Sequence, residues 1–516
     1  VLVENREAMS QDTEGEKGWG HVPSLGRSTL RGARLSLAGF VVSRGLMLAS
    51  YVVLARLVSP TDFGRYAAAS VITGVGTVFS ESGMLSALIR RPDGIDEAAS
   101  TAFFSLIISG TLLTLGALAV APLVGLFFHS GTVTELSAAL AGALFVQSLT
   151  VVPDAILQRR FSFARRVAVD PLSSLAFAGV SVLAAVDGAG AWSLVAGAYA
   201  SLIVSVIVAF AFARWRPRLR LASVAMWREL ATFARPVLGS EILSRAATQL
   251  DTVMLGRFKG AAALGQYRNG LRVAQQPSDG FVSIGAYVLL PALVRLHDQP
   301  ERLKAATRRI YRQIAAVALP ISVMFLPLGV PVAVLLLGSQ WRPAGHAIAG
   351  LCGLLVASAV MSASSEVFKA VGRPQLLIQM HSVSLTTIAI FVVAAAIPFG
   401  LVGVAVAVSA SRCVTASYGL RHAGRVTGLT RDDLIRAVKG PVAASLVMVL
   451  VMFGYAALFN PLDHRVLLAW LLTAGEAALG ALVYGLVLLA IDRERRRSAM
   501  HLVAVAQASA LSIVFR

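Results

Sequence analysis

Runs of about twenty apolar residues, separated by short polar or basic clusters, recur along nearly the whole of this 516-residue chain. A helix needs about 20 such residues to cross the hydrocarbon core of a bilayer, where its backbone must satisfy its own hydrogen bonds. The runs therefore predict an all-α polytopic membrane protein. Only 14% of the residues are charged, against about a quarter in soluble domains, and the mean hydropathy is +0.73. Apolar helices are expected at roughly 33–57, 64–90, 98–127, 132–154, 167–187, 190–213, 229–256, 276–295, 310–337, 343–371, 375–396, 400–420, 440–459 and 465–490. That makes about fourteen spans and puts both termini on one side.

The net charge of +19 invites a reading as a nucleic-acid binder, but its distribution argues against one. Basic residues gather in short segments between spans, at 90–94, 158–166, 214–220, 295–312, 421–439 and 492–497. All fall on one side if the chain starts inside, so the positive-inside bias predicts N-in, C-in. One segment disobeys. Residues 256–272 read as an outer loop carrying Arg257, Lys259, Arg268 and Arg272, so either the loop is held against the protein or it has work that tolerates the charge. Residues 1–32 are polar and expected to be a disordered cytoplasmic tail, not a signal peptide. Residues 491–516 are expected to lie as a basic tail on the inner surface.

A second pattern is internal. The segments SRGLMLASYVVLARLVSPTDFGRY (43–66) and SRAATQLDTVMLGRFKGAAALGQY (244–267) share Ser43/Ser244, Arg44/Arg245, Leu54/Leu255, Arg56/Arg257, Gly64/Gly265 and Tyr66/Tyr267, each pair 201 residues apart. Weaker agreement links LIRR (88–91) with LVRL (293–296), and GAGAWSLVAG (188–197) with PFGLVGVAVA (398–407). Two copies of a six-helix unit, at 33–220 and 221–430, are expected, with two further helices in 431–490. An even number of spans per unit makes the repeats parallel, related by an axis along the membrane normal.

The phrases LARLVSPTDFGRYAAASVI (54–72), SESGMLSALIRRP (80–92), ILQRRFSF (156–163), LDTVMLGRFKGAAALGQYRNGLRVAQQP (250–277), LLLGSQWRPAG (335–345) and FKAVGRPQLL (368–377) resemble the polysaccharide transporter family. These are the Wzx-type O-antigen and exopolysaccharide flippases of the multidrug/oligosaccharidyl-lipid/polysaccharide exporter superfamily. The resemblance covers about residues 30–490. It implies a bacterial plasma-membrane protein of two pseudo-symmetric lobes that moves polyprenyl-diphosphate-linked saccharide between leaflets. Its cargo would pass on to polysaccharide polymerase or glycosyltransferase partners.

Charges inside the bilayer are the candidate functional residues, because an Arg there persists only where it is paired or faces water. Arg44 and Arg245 lie about 18 Å from the Arg that closes each span, near mid-membrane. If the two units face each other, both guanidinium groups meet across a central cavity, where their planar donors suit a diphosphate. Glu241 stands four residues before Arg245 and offers a structural alternative, a pair on one helix face. Arg44 has no acid within a turn, though Glu81 of the second span is a candidate partner. Arg412 is a candidate third cavity cation. A polar stripe of Glu241, Arg245, Thr248 or Gln249, and Thr252 marks a lumen or a helix contact. Asp251 is expected to pair with a nearby loop Lys or Arg. Glu366 and Lys369 read by default as a self-contained ion pair, with Glu366, Glu241 and Glu81 kept as candidate coupling or cavity acids. Glu476 is a lone acid in the last span, either a proton carrier or a hydrogen-bonded structural group.

Cys352 and Cys413 read as buried small hydrophobes. The eight histidines show no metal-ligand spacing and no GxxxxGK[ST] loop occurs, so neither metal, nucleotide nor other cofactor is expected. Two rivals stand beside the flippase: an exporter of small molecules or peptidoglycan precursor with the same architecture, and a membrane polysaccharide polymerase. The first would favour acids in its cavity, and the second a sizeable outer loop or catalytic cluster.

Overall fold

The computed structural model describes residues 42–90, 94–159, 163–296, 298–373 and 375–491, with some side chains in 78–90, 163–167, 233–244 and 281–291 left outside the described set. The two terminal tails lie outside the described residues as well. Among the described residues every regular element is helical. The helices are α1 (42–57), α2 (Pro60–Arg90), α3 (Ile95–Phe127), α4 (Gly131–Ser148), α5 (Val151–Arg159), α6 (Phe163–Val186) and α7 (Ala191–Ala213). They are followed by α8 (Val224–Val294), α9 (Pro300–Leu337), α10 (Arg342–Gly350), α11 (Leu354–Ala370), α12 (Gln375–Thr427), α13 (Arg431–Leu458) and α14 (Val466–Ile491).

Among the described residues eight helices are long and apolar enough to cross a membrane, or nine if α10 and α11, bent by 45°, form one span. The protein is therefore an all-α, multi-pass membrane protein. Large apolar side chains such as Leu112, Leu123, Leu446, Leu450, Leu467 and Leu486 point outward and are more than half exposed, as a lipid-facing surface requires. Cys413 belongs to that exposed side of α12 and not to the core.

Two of the longest helices are hairpins with no loop. In α8 the backbone breaks at Gly260 (φ 80°, ψ 179°), and in α12 at Gly400 (φ 57°, ψ −136°). Positive φ is open to glycine because it lacks a Cβ. Contacts across each break prove the reversal. Tyr267 reaches Asp251 across Gly260, and Thr387 and Ser411 share a 2.8 Å hydrogen bond across Gly400. Residues 256–272 are thus not an outer loop: the helix resumes at once, and Arg268 and Arg272 belong to its second limb. Of the two readings offered for this charge, the segment is held against the protein. Arg257 lies 5.3 Å from the centre of the Phe127 ring.

Packing relies on small residues, since apolar side chains gain little by leaving lipid for protein and close backbone approach supplies the attraction instead. The N-terminal turn of α2 meets the start of the second α8 limb at two glycines. A methyl at Gly64 would strike the carbonyl of Ala261, and one at Gly265 would strike the carbonyl of Pro60. Trp341, fully buried in the turn between α9 and α10, donates its indole N–H to the Ala55 carbonyl at 2.7 Å. At the other end of the bundle, Thr430 and Asp433 form a capping box for α13, and Arg308 of α9 lies 3.5 Å from the Asp433 carboxylate. The Thr430 hydrogen bonds, aided by Arg308, hold the Asp433 carboxyl below the usual carboxylate range.

Candidate functional site at the seam between the repeated segments

The repeated arginines at the end of each copy do reciprocal work. Arg56, closing α1, donates to the Leu335 carbonyl at 2.8 Å and so caps the C-terminal turn of α9. Arg257, closing the first α8 limb, donates to the Phe127 carbonyl at 2.9 Å and caps α3. Four carbonyls at any helix C-terminus lack an internal partner, and a guanidinium is suited to take them. The glycine contacts obey the same exchange: Gly64 against Ala261 becomes Gly265 against Pro60 when both positions shift by 201 residues.

Deeper in the bundle, α1 and the second α8 limb form an antiparallel seam. Arg44 Nη1 lies 3.0 Å from Asp279 Oδ2. Seven residues along each helix, the Arg272 guanidinium sits over the Tyr51 ring, 3.5 Å from its centre. The seven-residue step brings both rungs to one face of each helix. Arg272 also donates to Asn269 Oδ1 at 3.3 Å. Among the described residues Arg44 thus pairs with Asp279; the Glu81 side chain lies outside the described set. Asp279 was legible only as one acid within QQPSDGF, at the start of a span whose true beginning is fifteen residues earlier.

The Arg44–Asp279 pair is open to its surroundings, with side chains 43% and 40% exposed. Asp279 is about 27 Å along its limb from Ala261 and about 22 Å from Val294, so it stands well away from either end. Hydrocarbon does not accept an exposed ion pair at that depth, so this face of the seam borders water or a polar ligand. Arg245 is likewise exposed in mid-helix. Among the described residues no ion pair joins it to Glu241. Gln249 of the same stripe abuts Gly74 of α2, and Thr252 is buried.

Arg412 belongs to a neighbouring polar cluster. Its Nε is buried with no hydrogen-bond partner among the described residues, and the side chain lies within electrostatic range of Asp251 and Tyr267. The hydroxyls beside it in sequence turn elsewhere, Ser409 to the Gly350 carbonyl and Thr415 to Ser411. Asp251, only 3% exposed, accepts from the Tyr267 hydroxyl at 2.5 Å and from the Thr252 amide at 2.6 Å. Its direct partner is thus a tyrosine, with Arg268 reached through Thr252 at 3.4 Å. His381 lies within electrostatic range of both Glu241 and Arg412. Glu366, nearly buried, pairs with Lys369 at 2.8 Å on its own helix.

Of the candidates from the sequence, the structure brings Arg44 to the seam and places Glu241 and Arg412 each within electrostatic range of His381, while Glu366 is tied up locally. Asp279, Arg268, Arg272 and Tyr51 were missed, because reading 256–272 as a loop removed two cations from the bundle. No group of three or more potential metal ligands occurs among the described residues.

Comparison with known proteins now adds to this geometry. Residues 53–346, which include Asp279 and Arg272 of the seam but begin after Arg44 and Tyr51, match the family model described as "Polysaccharide biosynthesis protein". The chain belongs to that family. Within the polysaccharide biosynthesis proteins it is similar to the succinoglycan biosynthesis transport protein ExoT of Rhizobium meliloti (strain 1021). The two are 26% identical over 299 residues, 58% of this chain and 60% of ExoT, so the match spans well under two thirds of that relative. Similarity to the lipopolysaccharide biosynthesis protein WzxC of Escherichia coli (strain K12) is 23% over 336 residues, covering 64% and 68% of the two chains. Among solved structures, the lipid II flippase MurJ in an inward closed conformation superposes with a TM-score of 0.73 at 15% identity, over 89% of this chain and 99% of MurJ. That likeness concerns the fold of this family member.

Proposed function

We propose that the protein is a flippase of the bacterial plasma membrane that carries a polyprenyl-diphosphate-linked saccharide from the inner to the outer leaflet by alternating access. The observation that carries this reading is the exposed Arg44–Asp279 pair in mid-bundle, on a seam joining the two copies of a repeated unit. A guanidinium already facing a polar space exchanges one oxyanion for another with little reorganisation, so the diphosphate would take the place of the Asp279 carboxylate. Arg245 and Arg412 would supply further positive charge, and Arg272, stacked on Tyr51, would bound the site towards the Gly260 end.

The names of ExoT and WzxC, a succinoglycan transport protein and a lipopolysaccharide biosynthesis protein, support a lipid-linked saccharide as cargo and transport, not catalysis, as the activity. In this reading α1–α7 and α8–α12 form two lobes, with α13 and α14 added, and the chain crosses about fourteen times if each limb of α8 and α12 counts once. The basic end of the bundle, with residues 214–220, 295–312 and 421–439, would face the cytoplasm together with both termini.

The test is mass spectrometry of lipids from cells lacking the gene beside cells carrying it, combined with a leaflet-specific probe. Accumulation of a polyprenyl-diphosphate oligosaccharide on the inner leaflet is the expected result, and its mass identifies the cargo. An unchanged lipid pool, after a second deletion removes redundancy, would overturn the proposal in favour of small-molecule export.

A further inference from the structure

Glu476 lies in the middle of α14, fully buried, and neither of its carboxylate oxygens meets a hydrogen-bond donor among the described residues. It is far in sequence from the seam and unused by the transport reading. Its surroundings are apolar: Leu328, Met448, Met452 and Tyr484 form the local core, with Val323, Met324 and Ala477 packed against it. Three elements face it. From Gln313 to Leu337, α9 carries no ionisable side chain; from Gly440 to Phe459, α13 carries Tyr455 alone; α14 itself adds Tyr484. The Tyr455 hydroxyl approaches α14 at Gly475, and Asp463, His464 and Arg465 stand about 16 Å or more away at the preceding turn. Among the described residues no cation is placed to neutralise a carboxylate, and an ionised one without partners is not tolerated in such a site.

The facing helix does offer an acceptor. Pro320, Pro327 and Pro331 interrupt α9, and each lacks the N–H that would take the carbonyl four residues earlier. Pro320 releases the Ala316 carbonyl, and Tyr484 of α14 donates to it at 2.7 Å. Pro327 releases the Val323 carbonyl in the same way. The helices are antiparallel. Val323 is about 10 Å beyond Ala316 on α9, and Glu476 is about 12 Å beyond Tyr484 on α14 in the same direction. The register of the Tyr484 contact therefore brings Glu476 level with the second released carbonyl.

We propose that Glu476 is a proton-binding site, neutral in this conformation, whose carboxylic O–H serves the Val323 carbonyl and clips α14 to α9. The clip has one permanent hydrogen bond, from Tyr484, and one that exists only while the proton is bound. Loss of the proton leaves a carboxylate facing a carbonyl oxygen, two acceptors without a donor, and drives α14 away from α9 towards water. Proton binding is thereby coupled to the seating of the α13–α14 hairpin. The inference needs no assumption about cargo, so it stands or falls separately from the flippase reading.

The experiment is infrared difference spectroscopy of the full-length protein in liposomes, comparing wild type with Glu476→Gln. A carboxylic-acid C=O band at neutral pH, present in wild type and absent from the variant, is expected. A carboxylate signature in its place would overturn the proposal. Pro327→Ala, which restores the N–H opposite Val323, is expected to shift that band to higher frequency; an unmoved band would remove the clip. The protection factors of α14 amides, which divide out the intrinsic rise of exchange with pH, are expected to fall tenfold or more in wild type as pH rises through the transition and to stay constant in Glu476→Gln. An equal fall in both would sink the coupling.

Discussion

Residues 43–66 and 244–267 are two copies of one sentence, and the molecule reads their ends alike and their middles differently. At the Gly260 end, Arg56 and Arg257 each cap the third helix of the opposite copy, and Gly64 and Gly265 each seat against a backbone carbonyl of the other. Halfway along, Arg44 pairs with Asp279, whereas the position 201 residues before Asp279 is Val78, so α2 offers Arg245 no equivalent acid there. Repetition at the ends serves assembly, because two-fold packing demands the same contact twice. In the middle the Asp279 that pairs with Arg44 has no acidic counterpart in the repeat, and under the proposed function the two arginines would be two half-sites for one anionic head.

The largest expected effect bears on the middle. Arg44→Gln and Arg245→Gln should each lower saccharide export tenfold or more in normally expressed protein, read from the inner-leaflet lipid-linked pool. Asp279→Asn should leave export largely intact, since it removes a competitor for the guanidinium; a loss as deep as that of Arg44→Gln would make the pair structural. Stability should hardly register any of the three, because half-exposed ion pairs contribute about 0–1 kcal/mol.

At the ends the order reverses, with stability affected first. Gly64→Val and Gly265→Val should each cost about 1–3 kcal/mol, by overpacking at a backbone contact, and by similar amounts. Thermal unfolding in detergent checks both, and a clear inequality would break the two-fold reading. Arg56→Gln and Arg257→Gln should cost less, about 1 kcal/mol each for a lost capping bond.

The smallest effect lies at the basic end. The folded-state value of Asp433 is depressed, so its contribution is present above the ordinary carboxylate range and fades as pH falls through the lower folded value. Thr430→Ala should flatten this acid limb of the stability curve. An unchanged acid limb would mean that Thr430 does not set the titration.

Much of the architecture could be read from the chain because hydrophobic length is a local property. Each expected apolar segment overlaps a helix, apart from the part of 33–57 that precedes the described residues. The repeat was legible for the same reason, its Arg, Gly and Tyr being conspicuous in an apolar background. The loop expected at 256–272 failed because a single glycine with positive φ reverses a helix without any run of turn residues, so charge density was mistaken for exposure. Asp251 was assigned to a nearby cation by sequence distance, while folding gave it Tyr267, a partner supplied by the hairpin itself.

By itself the sequence determined the class of fold, the basic end of the bundle, the internal duplication and the presence of Arg44, Arg245 and Arg412 among apolar neighbours. These follow from the cost of putting each residue in hydrocarbon, which is paid residue by residue. Only the tertiary structure decided how the charges are placed: Arg44 with Asp279, Arg272 over Tyr51, Arg412 within electrostatic range of Asp251, and Glu476 with neither cation nor donor among the described residues. Pairing depends on which helix faces rotate together, and a few ångströms of register separate an ion pair from a buried, unpartnered acid.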